Sequence, residues 1–238
     1  MRAFRELDRV LRGEPLAGDS TAKQWRSLVG VNILLAVAYG CCMGSFGIFG
    51  RAEPEYWQVV ASGLKVPMLF LLTLAVTFPS LYVFNTILGT KLPFGKLVRL
   101  ITSAMSVLNA VLASLGPVVA FFSATTTNYS FILLLNVVVF AVSGLFGVVF
   151  LFRMLQRDSG PVAEVEFENS DVQVIRSRSS VGAVFYIWLV AFGLVGAQMG
   201  WVLRPFVGSP FLAFTWFRPR EASFFEAVLK SLRQLFGP

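Results

Sequence analysis

The sequence predicts an all-α integral membrane protein with five transmembrane helices. Of its 238 residues, 56% are hydrophobic and only 14% are charged, and the mean hydropathy is +0.72. An ordinary soluble domain is about 25% charged, so this chain has more apolar surface than a soluble fold of its size buries. Five stretches are nearly free of charged residues and long enough to cross about 30 Å of hydrocarbon at about 1.5 Å per residue. They are residues 27–50, 66–88, 100–122, 131–152 and 181–203.

The first apolar stretch is expected to remain in the mature protein as a membrane anchor. It follows a mixed-charge segment, residues 1–26, and is too long for the apolar core of a signal peptide. It carries Cys41 and Cys42 side by side. Neighbouring cysteines in lipid usually act as small apolar fillers, so neither a disulfide framework nor a metal site is indicated.

Basic residues are distributed unevenly between the segments that join the five stretches. The N-terminal segment and the loops 89–99 and 153–180 carry 6, 3 and 4 lysines and arginines, whereas the loops 51–65 and 123–130 carry 2 and none. Cytoplasmic loops of membrane proteins are enriched in Lys and Arg. The sequence therefore predicts a multi-pass protein with a cytoplasmic N-terminus.

With five spans, the C-terminal tail, residues 204–238, falls on the outer side although it is basic. Either the tail crosses with its charge, or residues 206–217 dip back into the membrane. Twelve residues are too few to span as a helix, so we expect the tail to lie along the interface. The net charge of +7 favours anionic membrane lipids as partners. Nucleic acid is a poor partner, because no basic cluster lies on a folded soluble domain.

Both ends of the chain contain a short amphipathic helix. These helices lie within residues 1–26 and over residues 222–236, and each is expected on the membrane surface or docked on the bundle. Their apolar faces are Phe4, Leu7, Val10 and Leu11 at the first end, and Phe225, Val228, Leu229, Leu232, Leu235 and Phe236 at the second.

The polar loop 153–180 contains a stretch with strand periodicity. Ala163, Val165 and Phe167 alternate with glutamates at 164, 166 and 168, and Asn-Ser-Asp follows as a turn. This pattern predicts a small β-hairpin. Its glutamates could attract a divalent cation, but a solvated strand face is the favoured interpretation.

Small residues in the first and fifth spans predict close helix packing. Lipid gives helices little hydrophobic reason to associate, so small side chains that let backbones approach must help. We expect a tight bundle that forms a homo-oligomer or binds partner membrane proteins. The predicted packing residues are Ala36, Gly40 and Gly44 in the first span, and Gly193, Ala197 and Gly200 in the fifth.

The second and third spans carry polar stripes. The candidates for a polar path are Thr73, Thr77, Ser80 and Asn85 on the second, and Thr102, Ser106 and Asn109 on the third. Prolines at 67, 79 and 117 can kink these helices and free backbone carbonyls. Two interpretations stay open at this point. The stripes either line a permeation path or hydrogen-bond to each other within a helical hairpin.

The outer end of the fifth span reads GAQMGWVLRPF, residues 196–206. Trp201 suits the aromatic belt at the membrane interface, and Arg204 can reach lipid headgroups by snorkelling. Pro205 then ends the helix. Trp201 and Arg204 are therefore the candidate residues for contact with a lipid headgroup.

Chemistry-bearing motifs are missing from the sequence. It has no histidine, the commonest general base and zinc ligand. We expect no ionisable residue within a helix core, and no nucleotide-binding loop, metalloprotease motif or nucleophile–base pair is found. The sequence therefore predicts a protein that is not an enzyme and has no cofactor, metal or catalytic residue.

Residues 84–117, FNTILGTKLPFGKLVRLITSAMSVLNAVLASLGP, resemble the second-to-third helix region of the Yip family. Family members are five-span proteins with a cytoplasmic N-terminus, and eukaryotic members bind Rab GTPases and shape transport vesicles. The resemblance therefore implies a membrane-organising or trafficking scaffold. The matching positions are Leu88, Gly89, Lys91, Phe94, Leu97, Arg99 and Pro117.

Three functional hypotheses follow from the sequence. The first is a self-assembling passive channel or permeation unit lined by the second and third spans. The second is a Yip-like scaffold, and the third is an accessory subunit of a larger membrane complex. The clustering of polar residues on two successive spans favours the first.

Overall fold

A computed structural model describes residues 2–12, 22–50, 54–87, 94–158, 177–208, 214–217 and 224–236. Within these ranges the regular structure is entirely helical, as the sequence predicts. The helices are α1 (Arg2–Leu11), α2 (Ala22–Gly44), α3 (Phe46–Phe49), α4 (Tyr56–Ile87), α5 (Phe94–Thr125), α6 (Tyr129–Asp158), α7 (Ser177–Val202) and α8 (Phe224–Phe236).

Four of the described helical segments are long and apolar enough to cross a membrane, which makes the chain a multi-pass membrane protein. They are Gln24–Phe49, Tyr56–Val83, Phe94–Thr125 and Tyr129–Met154, with mean hydropathies from 1.8 to 2.6. The fifth predicted span corresponds to α7. Within α7, the described side chains from Tyr186 to Val202 form an apolar helical stretch, and a fifth crossing stays a prediction.

Several helix boundaries differ from the sequence prediction, and one of the differences places a charged residue in a buried position. Helix α4 begins at Tyr56 rather than at residue 66, and α5 begins at Phe94 rather than at residue 100. Lys65, expected in a loop, therefore lies inside α4. The expectation that no helix core holds an ionisable residue is wrong at this position. In a sequence, a lysine indicates the end of an apolar stretch. The amine of Lys65 lies inside the helix bundle because it has hydrogen-bond acceptors there.

The predicted β-hairpin in the loop 153–180 lies outside the described residues, as do its glutamates. The three prolines of the second and third spans lie within α4 and α5, which continue past them.

Contacts between the long helices fix their directions. Asn32 of α2 hydrogen-bonds to Ser106 of α5, and Cys42 lies against Gly116 further along both helices, so α2 and α5 are parallel. Gly40 and Gly44 of α2 face Ser62 and Val59 of α4, so these two helices are antiparallel. By the same reasoning α6 is antiparallel to α5, and α7 is antiparallel to α4.

The long helices form a curved row in the order α6, α5, α2, α4, α7, with α2 at its centre. Helices α4 and α5 pack on opposite sides of α2 and meet each other near one end, where Phe78 and Tyr82 contact Phe94. Helices α6 and α7 form the two ends of the row. Helix α1 packs on α2 and α5 at one end of the bundle, and α8 packs on α6 and α7 at the other. We call these the α1 end and the α8 end.

The backbones of α2 and α4 approach closely at the small residues of α2. A Cβ added to Gly40 would lie 2.5 Å from the carbonyl oxygen of Ser62, and one added to Gly44 would lie 2.8 Å from the Cα of Val59. Ala36, one turn earlier, is fully buried. We call this contact the α2–α4 seam, and any larger side chain there would force the helices apart.

Each terminal amphipathic helix has apolar residues on the side that faces the bundle and on the side that is exposed. In α1, Leu7 and Val10 are buried in the bundle whereas Phe4 and Leu11 are exposed. In α8, Phe225, Leu229 and Leu232 are exposed. Val228 and Leu235 are half-buried, and the side chain of Phe236 lies outside the described part.

Candidate functional site

The polar stripe of the second span faces α7. The hydroxyls of Thr73, Thr77 and Ser80 each donate to a carbonyl of their own helix, at 2.7, 2.8 and 2.7 Å. The indole nitrogen of Trp188 in α7 donates to the carbonyl of Thr77 at 2.9 Å. The side chain of Asn85 lies outside the described residues. These hydroxyls are therefore hydrogen-bonded within their own helix, and Thr73 also borders the groove described below.

The polar stripe of the third span faces α2. The side-chain amide nitrogen of Asn32 donates to the Ser106 hydroxyl at 3.0 Å, and that of Asn109 lies 3.5 Å from the side-chain oxygen of Asn32. The Thr102 hydroxyl donates to the carbonyl of Val98 at 2.8 Å. Because α2 lies between α4 and α5, the structure does not bring the two stripes together. Among the residues that the structure describes, no hydrogen bond joins one stripe to the other.

A groove of about 1140 Å³ opens on the inner side of the curved row, between α6 and α7. Its floor is formed by α4 and α5, through residues such as Leu69, Phe70, Met105 and Leu108. In the part of the chain that the structure describes, α6 and α7 are not packed along one another, so they form two separate walls. The wall residues are mostly apolar or small: Val137, Phe140, Ala141, Gly144 and Val148 on α6, and Leu189, Phe192, Gly193, Gly196, Ala197 and Gly200 on α7.

Glycines on both walls widen this groove. A Cβ added to Gly144 or Gly193 would meet nothing within 4 Å. Contact with α4 is made instead by Gly196, whose added Cβ would lie 3.6 Å from the methyl carbon of Thr73, and more loosely by Gly200. The predicted packing residues Gly193, Ala197 and Gly200 therefore line a groove.

The polar residues of the groove gather mainly at the α8 end. The turn before α6 contributes Thr127 and Asn128, and the start of α6 contributes Ser130. Arg204 follows the end of α7, and α8 contributes Lys230, Ser231 and Gln234. The Ser130 hydroxyl donates to the Gln234 side-chain oxygen at 2.8 Å, which ties α8 to α6. The groove is thus apolar along most of its length and polar at one end.

Arg204 lies at this polar end, stacked on an aromatic ring. Its guanidinium carbon is 4.0 Å from the centre of the Trp201 ring, a cation–π geometry. The two residues that the sequence assigns to a lipid headgroup are therefore in contact.

The chain that follows Arg204 is held by one face of α4. The Gln58 amide donates to the carbonyl of Phe206 at 2.7 Å and to that of Pro205 at 3.3 Å, and the Ser62 hydroxyl also donates to Phe206. The peptide bond between Arg204 and Pro205 is cis. These contacts fix the backbone on which the Arg204 side chain is mounted.

Lys65 completes this face of α4. Its side chain is 2% exposed, its amine donates to the carbonyl of Pro205 at 3.1 Å and to that of Trp216, and it lies 5.2 Å from the centre of the Phe217 ring. Sequence reasoning missed this cluster. The signal was present, because Gln58, Ser62 and Lys65 follow the helical spacing i, i+4, i+7.

The two cysteines lie at helix contacts. Both are free; the sulfur of Cys41 lies 3.0 Å from the Cβ position of Gly63, and that of Cys42 lies 3.2 Å from that of Gly116. This arrangement matches the role of small fillers between helices. In the part of the chain that the structure describes, no three acidic or cysteine side chains come together.

Comparison with protein-family models, with curated proteins and with solved structures finds no match to this chain. Of the positions that carry the Yip resemblance, Phe94, Leu97, Arg99 and Pro117 lie in α5. Leu88, Gly89 and Lys91 lie outside the described residues. The resemblance therefore stays a prediction from the sequence.

Proposed function

We propose that this protein is a non-catalytic, five-span membrane protein with a cytoplasmic N-terminus, which holds a membrane lipid in the groove between α6 and α7. The observation that carries the proposal is the groove itself, about 1140 Å³ of mostly apolar space between two walls that do not pack together. Ligand pockets in proteins commonly measure about 300–1,000 Å³, so a lipid chain has ample room.

The surroundings of the groove support a lipid as its occupant. Protein interiors are densely packed, and an empty apolar space of this size would forfeit the dispersion contacts of all its walls. In a bilayer the molecules at hand to supply those contacts are lipid chains. The floor side chains Leu69, Phe70 and Leu108 and the open Gly144 and Gly193 suit a flexible chain rather than a rigid polar solute.

A passive permeation unit lined by α4 and α5 receives less support. Such a path needs polar atoms that face a shared space. The hydroxyls of Thr73, Thr77 and Thr102 instead donate to carbonyls of their own helices, and Asn109 turns to Asn32 of α2.

A membrane-organising scaffold is the second candidate, and the terminal helices favour it. Phe4 of α1 and Phe225, Leu229 and Leu232 of α8 are exposed although α1 and α8 dock on the bundle. Apolar faces of this kind insert at the membrane interface. Replacement of these exposed residues by serine should weaken the effect of the protein on vesicle shape, with lipid retention in the groove unchanged.

The lipid-binding proposal is tested by filling the groove from its walls. Gly144→Leu and Gly193→Leu place side chains in open groove space, and leucine is a better helix former than glycine. The full chain is purified from membranes, and phospholipid per chain is counted by native mass spectrometry. The double variant should retain less lipid than the wild type.

The matched control is Gly30→Leu. Gly30 also has open space around its Cβ position but lies on α2, away from the groove. This variant should retain as much lipid as the wild type. Equal lipid retention by the control and by the groove-filling double variant would overturn the proposed function.

A further inference from the structure

We propose that the groove selects an anionic phospholipid, whose phosphate lies at the α8 end between Arg204 and Lys230. This inference rests on the proposed lipid-binding function and names the class of lipid. It also makes α8 part of the binding site rather than only a helix on the membrane surface.

The charge of the groove supports an anionic ligand. Among the described residues that line it, the charged ones are Arg204 and Lys230, and both are cations. The acidic residue of α8, Glu226, is exposed and lies outside the lining. A cationic headgroup would meet like charge at this end, whereas a phosphate that carries net negative charge would be attracted by both side chains.

Arg204 is held in a position that suits a phosphate. The Trp201 ring covers one face of its guanidinium at 4.0 Å, and the carbonyls of the next two residues are bound by Gln58, Ser62 and Lys65. A stacked guanidinium directs its N–H groups along its plane, the direction from which they bind two phosphate oxygens together. Because α4 fixes the backbone, little side-chain freedom is lost when the phosphate binds.

Lys230 approaches the same end of the groove from another helix. Helix α8 is tied to α6 by the hydrogen bond from Ser130 to Gln234, and its Ser231 is buried against the bundle. Lys230, beside Ser231, lines the groove and supplies a compact charge on a flexible stem. One cation thus follows the end of α7 and the other lies in α8, and both line the polar end of the groove.

The arrangement selects an amphiphile rather than a free anion. The cations stand at the end of an apolar groove, so one molecule satisfies both parts only if it joins a phosphate to a hydrocarbon chain. Thr127, Asn128 and Ser130 add neutral hydrogen-bonding groups at the same end, where a phospholipid carries its glycerol and ester oxygens. We therefore assign the chain to the groove and the phosphate to Arg204 and Lys230.

The test compares lipid classes bound to the full chain. The protein is reconstituted in vesicles with equal amounts of phosphatidylglycerol and phosphatidylcholine, extracted in detergent, and analysed by native mass spectrometry. The wild type should retain mainly phosphatidylglycerol. Because one basic residue near a membrane contributes about fivefold to the affinity for anionic lipid, Arg204→Gln and Lys230→Gln should each lower the ratio of phosphatidylglycerol to phosphatidylcholine about fivefold.

The total lipid per chain should stay the same in both variants, because the apolar groove remains. Arg233→Gln is the matched control, since Arg233 lies on α8 but does not line the groove. It should keep the wild-type ratio. Arg204→Lys, which keeps the charge, should fall between the wild type and Arg204→Gln.

Two results would overturn the inference. One is an unchanged ratio of phosphatidylglycerol to phosphatidylcholine in the Lys230→Gln variant. This variant should fold normally, because Lys230 is an exposed residue of α8. The other is release of the bound lipid by excess inorganic phosphate, which would indicate a site for the free anion. Failure of the lipid-binding function itself is a separate result, namely unchanged total lipid in the groove-filling variant with leucine at 144 and 193.

Discussion

Glycine has opposite structural roles at the α2–α4 seam and in the groove between α6 and α7. At Gly40 and Gly44 an added Cβ would collide with the backbone of α4, at 2.5 and 2.8 Å. At Gly144 and Gly193 it would meet nothing within 4 Å. Glycine on one side of the bundle lets two backbones touch, and on the other side it leaves room for another molecule. A small-residue pattern in a membrane helix therefore has a meaning only together with what lies opposite.

The largest expected effect is at the seam. Gly40→Leu should destabilise the protein by about 3 kcal/mol, because the added atoms meet the carbonyl of Ser62 and the Cα of Gly63, which cannot turn away. Unfolding in increasing denaturing detergent, followed by circular dichroism, measures the change. Gly30→Leu on the same helix should unfold like the wild type, and equal stability of the two variants would contradict a tight seam.

The next effect concerns the contacts that hold the chain after α7. Lys65→Met removes the donor to the carbonyls of Pro205 and Trp216, so both acceptors lose a charged partner, at a cost of about 2 kcal/mol. Limited proteolysis near residues 205–217 should become faster. Arg233→Met, on an exposed position of α8 that does not line the groove, is the control. Unchanged cleavage of Lys65→Met would show that this lysine does not hold the segment.

A smaller effect is expected at the polar contact between α2 and α5. Asn32→Leu removes the hydrogen bond to Ser106 and the contact with Asn109. Hydrogen bonds between membrane helices contribute about 0.6 kcal/mol on average, and the buried Asn109 loses its partner as well, so we expect about 1 kcal/mol. The same detergent unfolding measures it. A loss as large as that of Gly40→Leu would mean that polar contacts, rather than close packing, hold the row together.

The smallest effect on stability is expected in the groove. Gly193→Leu should change the free energy of unfolding by no more than about 0.5 kcal/mol, since its side chain enters open space. The same variant should lower the amount of bound lipid. A strong loss of stability would remove the contrast between the two regions, because it would mean that α7 packs where the groove now lies.

The helical membrane fold could be predicted from the sequence because it depends on composition and on the length of apolar stretches. The position of α4 could not, since Lys65 resembles a residue that ends a span. The carbonyls of Pro205 and Trp216, which accept hydrogen bonds from its amine, lie 140 and 151 residues later in the chain. The contact of Trp201 with Arg204 could be predicted, because Arg204 follows Trp201 by three residues where the fifth span ends.

The groove could not be predicted for a similar reason. The pattern of Gly193, Ala197 and Gly200 is the same whether a helix or a lipid lies opposite. The order of the row decides between them, and that order depends on α2 lying between α4 and α5. Polarity along one span likewise does not reveal which neighbour it faces, as Thr77 and Asn109 illustrate.

The order of the helices in the row also has a consequence for assembly during synthesis. Domains form from the N-terminal side as the chain is made, and α2, α4 and α5 can complete the centre of the bundle early. The groove gains its second wall only when α7 is added, and its Lys230 only when α8 docks. Until then the wall formed by α6 borders the membrane. A lipid can therefore enter the groove from the side before synthesis ends, and α7 and α8 then enclose it when they pack on the bundle.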